Sequence, residues 1–354
     1  MEEAMLTKEM TTEQIEAGLR ETSEEKLGIL WQAADKVRKE NVSDAVHLRG
    51  LVEISNYCVR ACAYCGLRAQ RRDIKRYRMT ADEILTQAHQ AAQWGYGTLV
   101  MQAGEDYGIK AQWMADLIRR IKDETPLAVT LSLGERSYEE LGLWRQAGAD
   151  RYLLRFETSD KDLYNSIHPD LPGKKSDRIE ILKFLRTLGY ETGSGVMVGI
   201  PGQTYTSLAR DIAYFRTLNL DMIGIGPYIE HPDTPLGRSS LCRTAIEKDR
   251  VPNDELTCYK AIALSRIVCP QANIPSTTAL ATINPIQGRE LGLMRGANVV
   301  MPNLTPFPYR VQYEIYPGKA CMNENAQSCQ GCLGKRILAI GRNIGTGAGS
   351  RQRK

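Results

Sequence analysis

Short apolar runs alternate along the chain with longer stretches that have helical periodicity. The amphipathic stretches, such as "ADEILTQAHQAAQWG", often end at a glycine just before the next apolar run, as helices do. The runs that read as strands are "VHLRGLVEIS", "TLVMQ", "LAVTLSL", "DRYLLRFE", "SGVMVGI", "DMIGIGPY", "NIPSTTA" and "ANVVMP". Eight strand–helix units predict an α/β fold of the (β/α)8 TIM-barrel type, with a doubly wound open sheet as the alternative.

The residues before the first strand predict only helices. Thr11 with Gln14 and Thr22 with Glu25 both have the spacing of a capping box. We therefore expect an N-terminal helical extension over residues 1–45, a barrel over 46–315 and a C-terminal segment over 316–354. The last part, "GRNIGTGAGSRQRK", is glycine-rich and basic and is typical of a flexible tail.

Composition and charge narrow the function classes. The net charge of +4 over 354 residues comes from basic residues that are spread along the chain, so a nucleic-acid partner is not indicated. No apolar run is long enough for a membrane span, and "MEEAMLTKEM" lacks the apolar core of a secretory signal. We expect a cytoplasmic protein whose nine cysteines serve as metal ligands or reduced thiols.

Three cysteines follow the first strand directly, in "CVRACAYC": Cys58, Cys62 and Cys65. In a barrel this is the catalytic end. A disulfide is disfavoured by the odd number and the reducing compartment. A structural zinc site would need a fourth ligand, and His47, the nearest histidine, lies at the start of the preceding strand. The spacing favours a [4Fe–4S] cluster held by three thiolates, with one iron open to another ligand.

Charged and polar residues lie at the ends of other predicted strands. Alternation along "RYLLRFET" places Arg155 and Glu157 on the barrel-facing side, where they form either part of a site or a structural ion pair. Gln102 and Glu105 end another strand in "LVMQAGED", with an ordinary polar turn as the alternative. These positions are where a barrel enzyme would bind its ligands.

The remaining cysteines form two further groups. Cys258 and Cys269 share a helix face and are expected to be core thiols; neither they nor Cys242 end a strand, which argues against a second cluster inside the barrel. Near the C-terminus, the spacing of Cys321, Cys329 and Cys332 fits an accessory iron–sulfur cluster or zinc. A vestigial site is an equal alternative on spacing alone.

The motif Cys-x3-Cys-x2-Cys after the first barrel strand resembles the signature of radical S-adenosylmethionine (SAM) enzymes. Further stretches resemble the HydE family of [FeFe]-hydrogenase maturases, a biotin synthase-like branch of that superfamily. The resemblance covers nearly the whole chain and includes "HLRGLVEISNYCVRACAYCGLR", "KRYRMT", "DRYLLRFET", "GYETGSGVMVGIPGQT" and "GANVVMPNLTPFPYR" followed by "YPGKAC".

The resemblance implies roles for individual residues. Cys58, Cys62 and Cys65 would ligate a [4Fe–4S] cluster whose open iron is chelated by SAM, with Glu157 on the SAM ammonium and Arg178 on its carboxylate. The implied SAM site consists of Tyr64, through its backbone, with Gln102, Thr130, Ser132, Glu157 and Arg178. The implied substrate cavity is lined by Arg155, Met222, Thr277, Thr278, Met301 and Tyr316. Cys321, Cys329 and Cys332 match an accessory cluster site that varies among family members. Ala103 is a departure, because relatives can carry serine there.

The resemblance also implies a reaction and partners. The 5′-deoxyadenosyl radical would act on an iron–cysteine complex with carbon monoxide and cyanide ligands, supplied by HydG, and the product would pass to the scaffold HydF. A low-potential donor such as ferredoxin or flavodoxin would supply the electron. The alternatives are a radical SAM mutase or lyase acting on an amino acid, like methylornithine synthase, and a non-enzymatic iron–sulfur carrier without dependence on SAM.

Overall fold

A computed structural model describes residues 10–238, 249–320, 322 and 326–352, with residues 326–330 described by their backbone alone. The strands are β1 (Ala45–Ser55), β2 (Thr98–Ala103), β3 (Ala128–Ser132), β4 (Arg151–Leu153), β5 (Glu191–Val198), β6 (Met222–Pro227), β7 (Val299–Val300) and β8 (Asn343–Ile344). The helices before β4 are α1 (Thr12–Arg20), α2 (Glu24–Val42), α3 (Ala81–Gln93), α4 (Ala111–Glu124) and α5 (Tyr138–Gln146). Those after it are α6 (Lys161–Ile167), α7 (Arg178–Thr187), α8 (Tyr205–Thr217), α9 (Pro235–Arg238), α10 (Glu255–Val268), α11 (Thr278–Ile283), α12 (Gly288–Met294), α13 (Phe307–Arg310) and α14 (Ala326–Ala339).

The strands form a parallel sheet in the order β6-β5-β4-β3-β2-β1-β7 that curls into a barrel. Between β6 and β7 the barrel is completed by an extended segment, residues 273–275. The backbone nitrogen of Ile223 donates to the carbonyl of Asn273 over 2.9 Å, and that of Ser276 to the carbonyl of Val299 over 2.9 Å. The predicted barrel is confirmed. Its seventh strand, expected over "NIPSTTA", is only this short segment, because α11 already begins at Thr278.

Alternation along the strands separates the core from the barrel interior. In β3, Val129 and Leu131 are fully buried in the main hydrophobic core. Thr130 and Ser132, which alternate with them, line a cavity inside the barrel. The strand sequence thus supplies both the packing and the chemistry.

The N-terminal helices pack on the outside of the barrel, α1 against α8 and α2 against α10. Helix α1 has the predicted capping box between Thr11 and Gln14. The cap of α2 is Ser23 rather than Thr22, because the Glu21 carboxylate accepts from the backbone nitrogens of both and holds them ahead of the helix. Among the described helices, none combines the length and the apolar character that crossing a membrane requires.

The C-terminal residues differ from the flexible tail expected from their composition. Strand β8 pairs with the start of β1, and residues 345–351 then run beneath the N-terminal end of the barrel. The buried Arg151 donates to the carbonyl of Ala348 over 2.9 Å, and Arg49 donates to that of Gly349 over 3.2 Å. Glycine permits this approach, because a Cβ on Gly349 would lie 2.5 Å from the ring of His47. We call residues 343–351 the floor segment.

Candidate active site

A cavity of about 300 Å³ lies inside the barrel, at the C-terminal ends of the strands. The predicted site residues in its wall are Tyr64, Cys65, Gln102, Thr130, Ser132, Arg155, Glu157, Met222, Thr277, Thr278, Met301 and Tyr316. Ala103, at the position where relatives can carry serine, lies in the same wall. Cys58, Cys62 and Arg178 do not line the cavity. The fold therefore brings residues from distant parts of the sequence to one chamber.

The loop after β1 carries the three cysteines and is fixed by backbone hydrogen bonds to neighbouring loops. The nitrogen of Val59 donates to the carbonyl of Glu105 over 3.0 Å, and that of Ala63 to the carbonyl of Ile167 over 2.7 Å. Cys62 is buried, and the other two cysteines are half-buried. We call residues 56–65 the cluster loop.

Burial raises the pKa of all three thiols, that of Cys65 to about 12. The charges of Cys58 and Cys65 also raise the pKa of Cys62, and that of Cys58 raises the pKa of Cys65, which places the three within electrostatic reach of one another. Over the part of the chain that the structure describes, no three His, Cys, Asp or Glu side chains converge as a single metal ion requires. A four-iron cluster binds each thiolate at a separate iron, so the loop fits this group better than one zinc ion.

Two polar atoms in the cavity wall fit SAM. The hydroxyl of Thr130 is buried without a hydrogen-bond partner, and the buried Oε2 atom of Glu157 lies 3.2 Å from the Nη2 of Arg155 but accepts no hydrogen bond. An unsatisfied buried carboxylate oxygen suits an ammonium group, and an unsatisfied hydroxyl suits a polar ligand atom. These orphaned atoms are what a chamber shaped for a zwitterionic ligand would contain.

Arg155 and Glu157 lie on the cavity side of β4, as the alternation predicted. Leu154 and Phe156, which alternate with them, are buried in the hydrophobic core. Arg155 forms an ion pair with Glu157 over 3.2 Å and donates to the carbonyl of Val196 over 2.6 Å. Both sequence interpretations therefore apply, since the two side chains pair with each other and also face the cavity. Glu157 has a positive φ of 61°, a strained conformation that is characteristic of functional sites.

Arg178 begins α7 and is held by three groups behind the cavity wall. Its Nε donates to Glu135 over 3.0 Å, and its Nη1 donates to the carbonyl of Arg155 over 2.6 Å. Its Nη2 contacts the ring of His168. Burial, together with the cations of Arg178 and Arg60, lowers the pKa of His168 to about 2, so this imidazole is neutral and accepts.

The same carboxylate ties Arg178 to the cluster loop. Glu135 contacts Arg60 over 2.7 Å, and Arg60 lies between Cys58 and Cys62 in the sequence. Arg60 also donates to Glu105 over 2.8 Å, whose other oxygen accepts from the Glu135 nitrogen over 3.0 Å. Sequence reasoning missed Glu135 and Arg60. The signal that could have found Glu135 is the repeated pattern of an acidic residue after a strand-end glycine, in "AGED" and "LGER".

Two further ionic groups in the cavity wall were also missed. Glu53 of β1 forms a buried ion pair with Lys319, and it accepts from Asn303 over 3.1 Å. Arg49, at the lower end of the cavity, is fully buried, and burial together with Arg151 lowers its pKa to about 9. The available signal was a pair of charged residues inside an otherwise apolar buried strand, "LRGLVEIS".

The remaining cysteines divide between the core and the C-terminal segment. Cys258 is buried in the hydrophobic core and Cys269 packs against it, as expected. Cys332 is exposed. Cys321 and Cys242 lie outside the described residues, as does the side chain of Cys329.

Comparison with known proteins shows the family. The family model of the Radical SAM superfamily matches residues 52–215. The [FeFe] hydrogenase maturase subunit HydE of Thermotoga maritima is 46% identical over 324 residues, which cover 92% of this chain and 89% of that protein. This chain belongs to the HydE family. It is therefore a radical SAM enzyme, and the alternative of a non-enzymatic carrier is set aside.

More distant similarities agree with the barrel. The 3-methylornithine synthase of Methanosarcina acetivorans is 26% identical over 82% of this chain and 79% of that protein. A crystal structure of methylornithine synthase (PylB) superposes with a TM-score of 0.81 at 24% identity, covering 97% of this chain and 96% of the other. Membership in the HydE family implies a [4Fe–4S] cluster and SAM.

Proposed function

We propose that this HydE-family enzyme cleaves SAM reductively and uses the resulting radical on an iron–cysteine precursor in the assembly of the [FeFe]-hydrogenase dinuclear iron centre. The observation that carries the proposal is the single cavity whose wall contains Cys65, the implied SAM residues other than Arg178, and the implied substrate residues. The name of the Thermotoga maritima relative supports the maturase role.

When bound, the cluster and SAM supply a 5′-deoxyadenosyl radical by one-electron cleavage of the sulfonium. The thiolates of Cys58, Cys62 and Cys65 would hold the cluster. Glu157 would accept from the SAM ammonium through its Oε2 atom, which pairs with Arg155 but accepts no hydrogen bond, and Arg178 would donate to the carboxylate. Gln102, Thr130 and Ser132 would bind further polar groups, and the backbone at Tyr64 would face the adenine.

The substrate would lie below SAM, towards the middle of the barrel. Arg155 would attract an anionic iron complex, because its cation lies partly buried in the cavity wall, where charges interact more strongly than in bulk water. The hydroxyl of Thr277 is buried without a hydrogen-bond partner and is available to a ligand. The other residues proposed to line the substrate site are Met222, Thr278, Met301 and Tyr316.

The proposed partners follow from this reaction. HydG would supply the precursor with its carbon monoxide and cyanide ligands, HydF would accept the product, and a low-potential electron carrier would reduce the cluster. Cys321, Cys329 and Cys332 stay candidate ligands of an accessory cluster outside the main reaction.

The test is anaerobic reconstitution with iron and sulfide, followed by measurement of 5′-deoxyadenosine under reduction. We expect SAM cleavage with the loaded protein, and activation of apo-hydrogenase when the HydG product and HydF are added. No 5′-deoxyadenosine with an intact cluster would contradict the radical mechanism. Cleavage without hydrogenase activation would contradict the maturase assignment alone.

A second function, that of an amino-acid mutase, is favoured by one observation. Glu53 and Lys319 place a carboxylate and an ammonium in the cavity wall, where an amino acid would need both. These two groups pair with each other, and Lys319 also donates to the carbonyl of Tyr313 over 3.2 Å, so neither is free for a substrate. Incubation with free amino acids should therefore yield no 3-methylornithine; its formation would favour the mutase.

A further inference from the structure

Residues 66–78, which follow Cys65 directly, are the most basic part of the chain near the cysteines. Their sequence, "GLRAQRRDIKRYR", holds six Lys or Arg and one Asp, a net charge of +5. The whole chain has a net charge of only +4. This local excess differs from the even spread of basic residues expected from the sequence. We call residues 66–78 the basic strap.

The basic strap lies on the outside of the cluster loop and is fastened to it. The nitrogen of Ala69 donates to the carbonyl of Arg60 over 2.8 Å, and Arg68 donates to the carbonyl of Ala61 over 3.1 Å. Arg76 donates to the carbonyls of Asn56, at the start of the loop, and of Leu67, just beyond its end. The strap therefore has a fixed position relative to the cysteines.

The strap also contacts the cysteines directly. The backbone nitrogen of Leu67 donates to the Sγ atom of Cys65 over 3.4 Å, and Ala61, whose carbonyl Arg68 binds, immediately precedes Cys62. A molecule that binds the exposed side chains of the strap is thus held close to the cysteines.

Part of the strap's charge is not neutralised within the protein. Arg71 forms an ion pair with Asp73 over 2.8 Å, and Arg78 forms one with Asp106 over 2.7 Å. Within the described ranges no carboxylate pairs with the other four cations. These are Arg68, Arg72, Lys75 and Arg76. Arg72 and Lys75 are exposed, so the strap presents a positive surface to solvent.

The rim of this surface has the apolar component that protein interfaces need. A groove of about 170 Å³ runs between the strap and the segment after α13, with Lys75 and Val311 in its wall. Val311 is 38% exposed, and Phe307 nearby is 56% exposed. Exposed aromatic and aliphatic groups beside cations suit a protein partner better than the backbone of a nucleic acid.

We propose that the outer face of the basic strap is the docking surface for an acidic, low-potential one-electron carrier protein. The inference rests on the proposed function, because only a cluster that must be reduced needs such a partner. The carrier would lose one electron and the cluster would gain it, with no bond formed or broken. Positive charge on the strap steers an acidic partner to the face from which the path to the cluster is short.

The test compares two double charge reversals that change the net charge equally. Arg72→Glu with Lys75→Glu reverses the strap, and Lys36→Glu with Lys39→Glu reverses two exposed lysines of α2, near the opposite end of the barrel. A bacterial flavodoxin is the probe. Its binding is titrated at low and high ionic strength, and SAM cleavage is driven either by reduced flavodoxin or by dithionite.

We expect the strap variant to bind flavodoxin at least 10-fold more weakly at low salt, with a smaller dependence on salt. Flavodoxin-driven cleavage should fall in parallel, while dithionite-driven cleavage stays within about twofold of the wild type. The α2 variant should behave as the wild type in both measurements. The binding titration does not depend on turnover and so measures docking by itself.

Three outcomes would overturn the docking surface. Unchanged flavodoxin binding by the strap variant would contradict the docking surface. Equal losses of binding in both variants would show that only the net charge of the protein matters. Loss of binding to RNA or to anionic vesicles, with flavodoxin binding retained, assigns the strap to another partner. Absence of dithionite-driven cleavage in the wild-type protein would instead contradict the proposed function, so the two failures are distinguishable.

Discussion

The two ends of the barrel differ in whether their buried polar groups have hydrogen-bond partners within the protein. At the N-terminal end, Arg151 is fully buried, and all three of its side-chain nitrogens donate. Its partners are Glu191, the hydroxyl of Thr98, and the floor segment through Ala348 and Ser350. Four of the five N–H groups of this guanidinium therefore donate within the protein.

At the C-terminal end, buried polar atoms are left without partners. Thr130 and Thr277 each carry a hydroxyl without a hydrogen-bond partner at the cavity, and the Oε2 atom of Glu157 has only its ion pair with Arg155. An unsatisfied buried polar group costs about 1–3 kcal/mol, and a bound ligand would recover that cost. Such an atom indicates a site here only where it also faces the cavity, because His47 Nδ1 and Arg351 Nε lack hydrogen-bond partners near the floor segment.

The largest expected effect comes from removing the floor segment. A chain that ends at Gly341 leaves Arg49 and Arg151 without the carbonyls of Gly349 and Ala348, and each loss costs about 1–3 kcal/mol. We expect the free energy of unfolding to fall by about 3–5 kcal/mol in denaturant titrations. SAM cleavage at 25 °C should stay within about threefold of the full chain, because the SAM site lies at the other end.

A point substitution in the floor segment should cause a smaller loss of stability, and it has a matched control. Gly349→Ala should loosen the floor segment, because the new Cβ meets His47 and the backbone has a φ of 59°. Gly142→Ala, in α5 with open space around it, should leave stability unchanged or slightly higher. Unaltered stability of the truncated chain would show that the floor segment contributes nothing to the fold.

Exchanging one glutamate at each end should separate function from stability. Glu157→Gln removes the proposed ammonium acceptor, and we expect kcat/KM for SAM cleavage to fall about 100-fold, close to 3 kcal/mol, with little change in unfolding. Glu191→Gln removes the charge opposite Arg151, and it should cost about 2 kcal/mol of stability while leaving KM for SAM unchanged. Equal effects of both variants on stability and kinetics would abolish the distinction between the two ends.

The barrel and much of its cavity could be predicted from the sequence, because both follow from local patterns of apolar and polar residues. Apolar runs of strand length specify the strands, and alternation in "RYLLRFET" placed Arg155 and Glu157 on the inner side although β4 itself ends at Leu153. The barrel topology then gathers the strand-end residues at one site, because parallel strands bring their C-terminal ends together. Residues as distant as Gln102 and Met301 thus reach one wall.

The features that were missed depend on pairing between distant segments, which no local pattern encodes. The floor segment is glycine-rich, and its order depends on buried arginines that lie 197 and 300 residues earlier in the sequence. Lys319 pairs with Glu53 across nearly the whole chain. Composition suggests disorder or an ordinary charged loop at such positions, and only the closed barrel gives them partners.

Glu135 tests whether the satisfied network behind the cavity serves the site or only the fold. Because it holds both Arg60 of the cluster loop and Arg178, Glu135→Gln should misplace Arg178 and raise KM for SAM about 10- to 30-fold, with a smaller change in kcat. The control is Glu140→Gln, which contacts Arg136 at 3.4 Å and should leave KM unchanged. A Glu135 variant that loses stability while keeping the wild-type KM would assign the network to the fold.

Asp211 of α8 has one carboxylate oxygen that accepts hydrogen bonds and one that does not. Its titration gives the smallest expected change in stability. Its Oδ1 accepts from the nitrogen and the hydroxyl of Ser159, each over 2.6 Å, just beyond the strained Glu157, while its Oδ2 has no hydrogen-bond partner. Burial raises its pKa from the ordinary 3.8 to about 7, and the bonds from Ser159 oppose this shift. Between these two values the folded protein binds a proton that the unfolded chain has lost, so stability falls as the pH rises.

From pH 6 to pH 8 this titration should lower the free energy of unfolding by about 1.4 kcal/mol, and Asp211→Asn should remove that loss because the amide stays neutral. Denaturant titrations at pH 6, 7 and 8 measure it. Asp162→Asn, in the first turn of α6, should keep the wild-type pH dependence. Parallel pH profiles for the wild type and the Asp211 variant would mean that Asp211 is charged throughout. The two hydrogen bonds from Ser159 would then be enough to offset the cost of burying the carboxylate.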